Sequence, residues 1–424
     1  MNRLLYSLLL ILLLPLLLAY LGWRALRSPD YRGRLGERFA LTLPRTRAPL
    51  IIHCASMGET LAALGLIRTL KRQRPDMPIL VTTTTPTGSA QVRQHLGDLV
   101  DHCYLPLDLG PVVARFLGRL TPIGLVLMET ELWPNLVHHC HKRQIPVVLA
   151  NARLSERSAR GYGRFPALVG PMLGQLTAIA AQNSNDGARL VTLGAAPAGM
   201  TDCGSLKFDI AVDDAEREHA SAQRLQLMGE RPCWLAASTH PGEFELALAA
   251  HKTLLEHFPD LLLMLVPRHP EQFDRAAELT RTAGLTLARR SAGGPLSPQT
   301  QVLIGDTMGE LKTLCGMSDI ALVGGSLIER GGHNPLEPAA FGKPVLMGPH
   351  YFNFKEIGDQ LKQEGVMLVV EDEHSLVQAL DQLLGDDSGR QRIGQAALQF
   401  MARNRGATER QAQVVLQALG RTEA

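Results

Sequence analysis

A chain of 424 residues is too long for one ordinary hydrophobic core and points to two domains of roughly 200 residues each. Apolar residues at 45%, charged residues at 20%, and 39 glycines and 26 prolines to punctuate turns exclude extensive disorder. The net charge of +2 conceals eight arginines against two acidic residues in the first 50, and no Lys/Arg stripe continues beyond them, which excludes a nucleic-acid-binding face.

The first element is "LLYSLLLILLLPLLLAYLGW", residues 4–23, an uncharged stretch about long enough to cross a hydrocarbon core as a helix. Arg3 precedes it, whereas Arg24, Arg27, Arg32, Arg34 and Arg38 follow, so the positive-inside bias places the folded body in the cytoplasm. A cleaved secretory signal is the alternative, disfavoured by the strongly basic downstream flank. Pro15 leaves open a kinked or interfacial helix.

From residue 50 the grammar is α/β. "LIIHC" (50–54), "PILVTTT" (78–84), "IGLVLME" (123–129), "PVVLAN" (146–151) and "TAIAAQ" (177–182) read as strands buried on both faces, separated by amphipathic segments. After the polar segment 203–215 the pattern restarts with "CWLAAS" (233–238), "LLLMLVP" (261–267), "QVLIGD" (301–306), "DIALVGG" (319–325), "KPVLMG" (343–348) and "VMLVVE" (366–371). Two parallel sheets covered by helices follow, with a ligand expected beyond the carboxyl ends of the strands, in a cleft between the two halves. The expected divisions are an anchor over 1–30, a first domain over 31–207 and a second over 208–424, the last stretch helical. The six cysteines have no C-x-x-C spacing and read as reduced, buried thiols. "HHCHKR" (138–143) reads as the basic end of a helix rather than a metal site.

Polar groups gather just after the strands. Glu59 follows the first in "HCASMGET", where it suits the first turn of a helix as a cap and equally suits proton abstraction. Glu129 and Glu131 follow in "ETELWPN", and "NARLSERS" comes after the next strand. The second half contributes His240 in "STHPGE", Arg268 and His269 in "PRHPE", Glu310 in "DTMGEL", and Asn334 and Glu337 in "GSLIERGGHNPLEP". In that last segment Gly324, Gly325, Gly331 and Gly332 allow close approach to a phosphate, and a helix start at Asn334–Pro335 supplies amides for an anion. Glu337 is placed to accept from ribose hydroxyls, Arg268 to offer a guanidinium fork to a phosphate, and Lys207, in the turn "GSLKFD", to offset a leaving phosphate. No G-x-G-x-x-G follows the first strand, and Walker A and G-x-S-x-G are absent, which removes dinucleotide, nucleotide-hydrolase and esterase readings. The lack of an apolar-flanked Asp-x-Asp argues against a metal-bridged diphosphate donor.

The ordered motifs "YRGRLGERF", "SMGET", "TTTTPTGS", "METELWPN", "NARLSERS", "GSLKFD", "LVPRHPE", "GDTMGEL" and "GGSLIERGGHNPLEPAAFGKPVLMGP" resemble the 3-deoxy-D-manno-octulosonic acid (Kdo) transferases of lipopolysaccharide assembly. The resemblance runs from about residue 31 to beyond 400. It implies two Rossmann-like domains facing a cleft, the GT-B type, with an amino-terminal membrane-anchor helix. It further implies an inverting, metal-independent transfer without cofactor, from CMP-Kdo to the lipid A precursor, at the cytoplasmic side of the inner membrane. Glu59 matches the position of the general base, with Glu129 and Lys207 assisting the transition state. The CMP contacts carry over to Pro267, Arg268, Met308, Gly309, Glu310, Asn334, Pro335, Leu336 and Glu337. A GT-B transferase using another nucleotide sugar and a non-catalytic membrane scaffold of the same fold are the rivals. Motif reading leaves open the number of Kdo units transferred.

Overall fold

Ten of the eleven apolar runs become the central strands of two parallel seven-stranded sheets, and the last, "VMLVVE", becomes an edge strand. The computed structural model describes residues 1–27, 34–210 and 212–420. Arg32 and the expected boundary at 30/31 lie outside the described residues. Two units divide the chain: Met1–Asp209 with Asn404–Ala424, and Ile210–Arg403.

Unit 1 contains β1 (Leu50–Cys54), β2 (Ile79–Thr83), β3 (Asp101–Tyr104), β4 (Gly124–Met128), β5 (Val147–Ala152), β6 (Ala178–Ala181) and β7 (Met200–Asp202), in the order β3-β2-β1-β4-β5-β6-β7. Ile51 registers with Leu80 on one side and Leu125 on the other. Because side chains alternate across a strand, Ile51 packs with Phe116, Leu117 and Leu120 on one face of the sheet. Leu50 and Ile52 pack on the other with Leu66, Ile67 and Leu70 of the helix Met57–Gln73. The order reverses between β1 and β4, so the chain leaves these neighbours in opposite directions and opens a crevice at their carboxyl ends.

Unit 2 repeats the plan with β8 (Cys233–Thr239), β9 (Leu262–Pro267), β10 (Leu287–Arg289), β11 (Val302–Ile304), β12 (Ile320–Val323), β13 (Val345–Met347) and β14 (Met367–Val369). Their order is β10-β11-β9-β8-β12-β13-β14, so the reversal falls between β8 and β12. Trp234, Phe244, Leu263, Leu322 and Leu380 share its core.

The units differ from the expected 31–207 and 208–424 at the carboxyl end. The helix Ala407–Gly420 places Ala412, Val415 and Ala418 in the core of unit 1. Polar contacts fix this return. Asp209 accepts from Gly406 N at 2.7 Å, and fully buried Gln411 accepts from Asn151 N at 2.8 Å while donating to Gly204 O at 2.9 Å.

Gln411→Leu keeps the bulk of that side chain but strands a backbone N–H and a C=O in the interior. Each stranded group costs about 1–3 kcal/mol. Urea denaturation should show unit 1 destabilised by that order, and an unchanged midpoint contradicts this role.

Candidate active site

Glu59 lies where unit 1's topology reverses. Ser56 ends the extended chain after β1 and caps the helix Met57–Gln73, its Oγ accepting from Glu59 N at 3.3 Å. The Glu59 side chain turns back over this cap. Oε2 accepts from Ala55 N at 2.8 Å and Oε1 from Ser56 Oγ at 2.8 Å. The residue is therefore a reciprocal cap and is 8% exposed. Its helix-start position alone would hold the carboxyl low. Burial instead pushes it up to about 7, with the two hydrogen bonds pulling down and the charges of Glu129 and Glu131 adding to the rise. A carboxylate titrating there is matched to base chemistry near neutrality.

Glu129 follows β4, the strand beside β1. Its φ of +55° is left-handed, a conformation costing of order 1–3 kcal/mol in a residue with a Cβ. The chain holds it there through Glu129 N, which donates to Ala150 O at 2.8 Å. Glu131 is raised by burial and then by Glu129. Asn151, at φ +53° beside a register shift near the end of β5, is fully buried. Its Oδ1 accepts from Leu206 N at 3.1 Å, which fixes the turn Leu206–Phe208 carrying half-buried Lys207.

In unit 2 the corresponding reversal brings β8 beside β12. Gly324 is required there, because a Cβ would lie 2.6 Å from Ser238 O. The next amides do not point to open solvent. Glu243, 1% exposed at the start of the helix Glu243–Leu254, accepts from Gly325 N at 2.8 Å, Ser326 N at 3.1 Å, Leu327 N at 3.1 Å and His240 N at 3.0 Å. The glycine loop expected to cradle a phosphate thus spends its amides at 325–327 on a buried carboxylate. His240 and His333 meet at Nε2 with 2.9 Å between the nitrogens. Their centroids are 5.1 Å apart with planes 15° from parallel, so the rings meet edge to edge and share a proton rather than overlap face to face. His333 is lowered to about 4 by burial, with positive charge from His240, Arg268 and His269 adding to the effect.

The expected nucleotide contacts occupy loops around this point. Pro267 ends β9, and Arg268, with an exposed side chain, is anchored through Arg268 N to Thr239 O at 2.9 Å. Met308 is 67% exposed and Gly309 takes φ +84°, which favours glycine. Glu310 is gripped by Arg290 through Nη2 at 3.0 Å and Nε at 3.2 Å, so its carboxylate is already engaged. Asn334 Oδ1 accepts from Leu336 N at 3.1 Å, and Asn334 Nδ2 reaches Glu337 Oε1 at 3.5 Å. The helix here is only Leu336–Ala340, with Pro335 as its cap, so its dipole is short and Asn334 lies just outside it. Burial raises the Glu337 carboxyl against hydrogen bonding from Asn334 and the charges of Arg268 and Lys312, which sets Arg268, Asn334 and Glu337 in one neighbourhood. Sequence reasoning missed Glu243, Asn151 and the His240–His333 pairing. The only signal for Glu243 was a carboxylate just after Gly242, a turn glycine, in "STHPGE".

Residues 33–210 match the family model described as 3-Deoxy-D-manno-octulosonic-acid transferase (kdotransferase), and 283–400 match glycosyl transferases group 1. A 3-deoxy-D-manno-octulosonic acid transferase of Haemophilus influenzae is 44% identical over 414 residues, covering 97% of both chains. That of Bordetella pertussis is 37% identical, covering 97% of this chain and 98% of its own. Among solved structures, UDP-GlcNAc 2-epimerase from Neisseria meningitidis superposes with a TM-score of 0.57 at 13% identity, covering 87% of this chain and all of its own, a likeness of fold alone.

Glu243→Ala removes the acceptor of four amides, and hydrogen bonds to a charged group contribute about 1.5–3 kcal/mol each. Amide exchange at Gly325–Leu327 should accelerate and the thermal midpoint should fall. Unchanged protection at those amides contradicts the clamp.

Proposed function

The chain belongs to the 3-deoxy-D-manno-octulosonic acid transferase family, and from that premise we propose that it transfers Kdo from CMP-Kdo to the lipid A precursor, with Glu59 as general base. The observation that carries the reading is Glu59 itself: buried at the β1/β4 reversal, held by two hydrogen bonds and titrating at about 7. The acceptor hydroxyl oxygen attacks the anomeric carbon of Kdo, the bond from that carbon to the phosphate oxygen breaks, and CMP departs with the bonding pair. Glu59 takes the hydroxyl proton as the new bond forms, and the displacement inverts the anomeric centre.

Unit 2 would hold CMP through Arg268 at the phosphate, Asn334–Glu337 at the ribose, and Pro267 with Met308–Glu310 lining the nucleotide. The Arg290 grip on Glu310 favours contact through the 308–310 backbone over its carboxylate. Lys207 would offset charge on the departing phosphate, and Glu129, strained into place beside Glu59, would support the oxocarbenium-like carbon. The acceptor is a lipid. The helix Arg3–Arg27 holds the one span among the described residues long and apolar enough to cross a membrane, and Arg24, Arg27, Arg34 and Arg38 follow that apolar run, which supports placement at the cytoplasmic side of the inner membrane.

Incubation with CMP-Kdo and lipid A precursor, followed by mass spectrometry of the acceptor, should show added Kdo. Glu59→Gln should lower transfer by about 10²–10⁴-fold, the typical weight of a general base, and leave CMP affinity unchanged. Wild-type transfer in that variant removes Glu59 from the role.

The base acts only when ionised, so kcat/KM should climb with pH as Glu59 loses its proton around 7 and level off above it. A profile already flat from pH 5 contradicts the assignment.

A further inference from the structure

The apolar helix is fastened to unit 1 at its far end. Arg3 Nη1 donates to Asn135 Oδ1 at 3.1 Å, and Ser7 Oγ donates to the same oxygen at 3.0 Å. Tyr6 Oη donates to Asp108 Oδ2 at 3.0 Å. These acceptors belong to the interior: Asp108 is 5% exposed and Asn135 is fully buried. Asp108 also accepts from Asn135 N at 2.9 Å and Leu136 N at 2.7 Å, serving the first amides of the helix Pro134–Lys142, while Asn135 Nδ2 donates to Asp108 O at 2.7 Å.

Beyond the other end, the chain is tied to the same unit at Arg34. Arg34 donates to Ser89 Oγ at 3.1 Å and to His102 O at 3.0 Å. The seven residues from Arg27 to Arg34 reach at most about 25 Å when extended. The helix Arg3–Arg27 has 25 residues. At 1.5 Å per residue that length is about 37 Å. A hydrocarbon core is about 30 Å thick, so a crossing helix would carry Arg3 to the opposite side from Arg24. Arg3, Tyr6 and Ser7 would then leave Asp108 and Asn135, and these buried acceptors would lose all three of those hydrogen bonds.

Along the helix, Leu4, Leu8, Leu12 and Leu16 are exposed. Toward its end Arg27 lies 4.5 Å from the Trp23 ring centroid and Arg24 lies 5.7 Å from that of Tyr20, pairs of aromatic body and cationic head suited to the headgroup boundary.

We propose that this helix does not cross the bilayer but lies in the cytoplasmic leaflet, clamped to unit 1 at its amino-terminal end and tethered to it beyond the other through Arg34, with its leucines among acyl chains and its arginines at anionic headgroups. The proposal rests on the membrane placement of the preceding subsection and adds its topology. It also gives the clamp a use. Asn135 closes the segment "ETELWPN" that carries Glu129 and Glu131, so the helix sets the height of that carboxyl edge above the lipid.

The six native cysteines are buried, so one introduced thiol can report the side. Asn2 and Leu26 are exposed at the two ends of the helix, and full-length Asn2→Cys and Leu26→Cys variants would be treated with a membrane-impermeant maleimide in inverted inner-membrane vesicles and in sealed spheroplasts. Both variants should label in inverted vesicles, and both should lose labelling in spheroplasts. Labelling of Asn2→Cys from the spheroplast exterior, or from neither side until detergent is added, overturns the in-plane helix while leaving membrane placement intact. Recovery of the unaltered chain in the soluble fraction overturns both.

Discussion

A carboxylate that water would ionise is kept in the interior of unit 1 by the turn that carries it. Ala55 N and Ser56 Oγ each give Glu59 one hydrogen bond, and the same Ser56 Oγ caps the helix on which Glu59 sits. Capping and proton transfer are therefore one arrangement rather than rival explanations. The cap holds the side chain through two hydrogen bonds, burial raises its proton affinity, and the residue sits at the β1/β4 reversal, where a doubly wound sheet opens its crevice.

Unit 2 shows what the same position does when its lone pairs are used up. Glu243 also follows the first strand of its sheet and also begins a helix, and it too is raised by burial. An ionised carboxylate offers about four acceptor sites. Glu243 fills its own with the amides of His240, Gly325, Ser326 and Leu327, which makes it a structural clamp on the glycine loop. Glu59 has two named partners and keeps acceptor capacity for a hydroxyl. Two like carboxylates in like topology are separated in function by the number of donors aimed at them.

Most of the architecture was legible because central strands are buried on both faces and read as unbroken apolar runs. The three strands that escaped notice, β3, β7 and β10, are all edge strands. "DHCY", "MTD" and "LAR" each leave residues half or fully exposed, so no such run exists. The return of Ala407–Gly420 to unit 1 was likewise hidden, since an amphipathic helix does not declare which sheet it covers. At the site, the residue types after each strand were readable, but their partners were not. The glycines of 324–332 suggest free amides until Glu243, more than 80 positions away, is seen to take three of them. The left-handed backbone of Glu129 and Asn151 leaves no mark on composition either.

The central claim is that Glu59 waits in the resting protein with a proton affinity suited to base chemistry. Titration of its side-chain carboxyl by ¹³C NMR, assigned by comparison with the Glu59→Gln protein, reports that affinity without any substrate. The account requires a midpoint near 7. A midpoint near the ordinary glutamate value of about 4.3 would mean that the helix start and the two hydrogen bonds outweigh burial, leaving Glu59 a cap and little else.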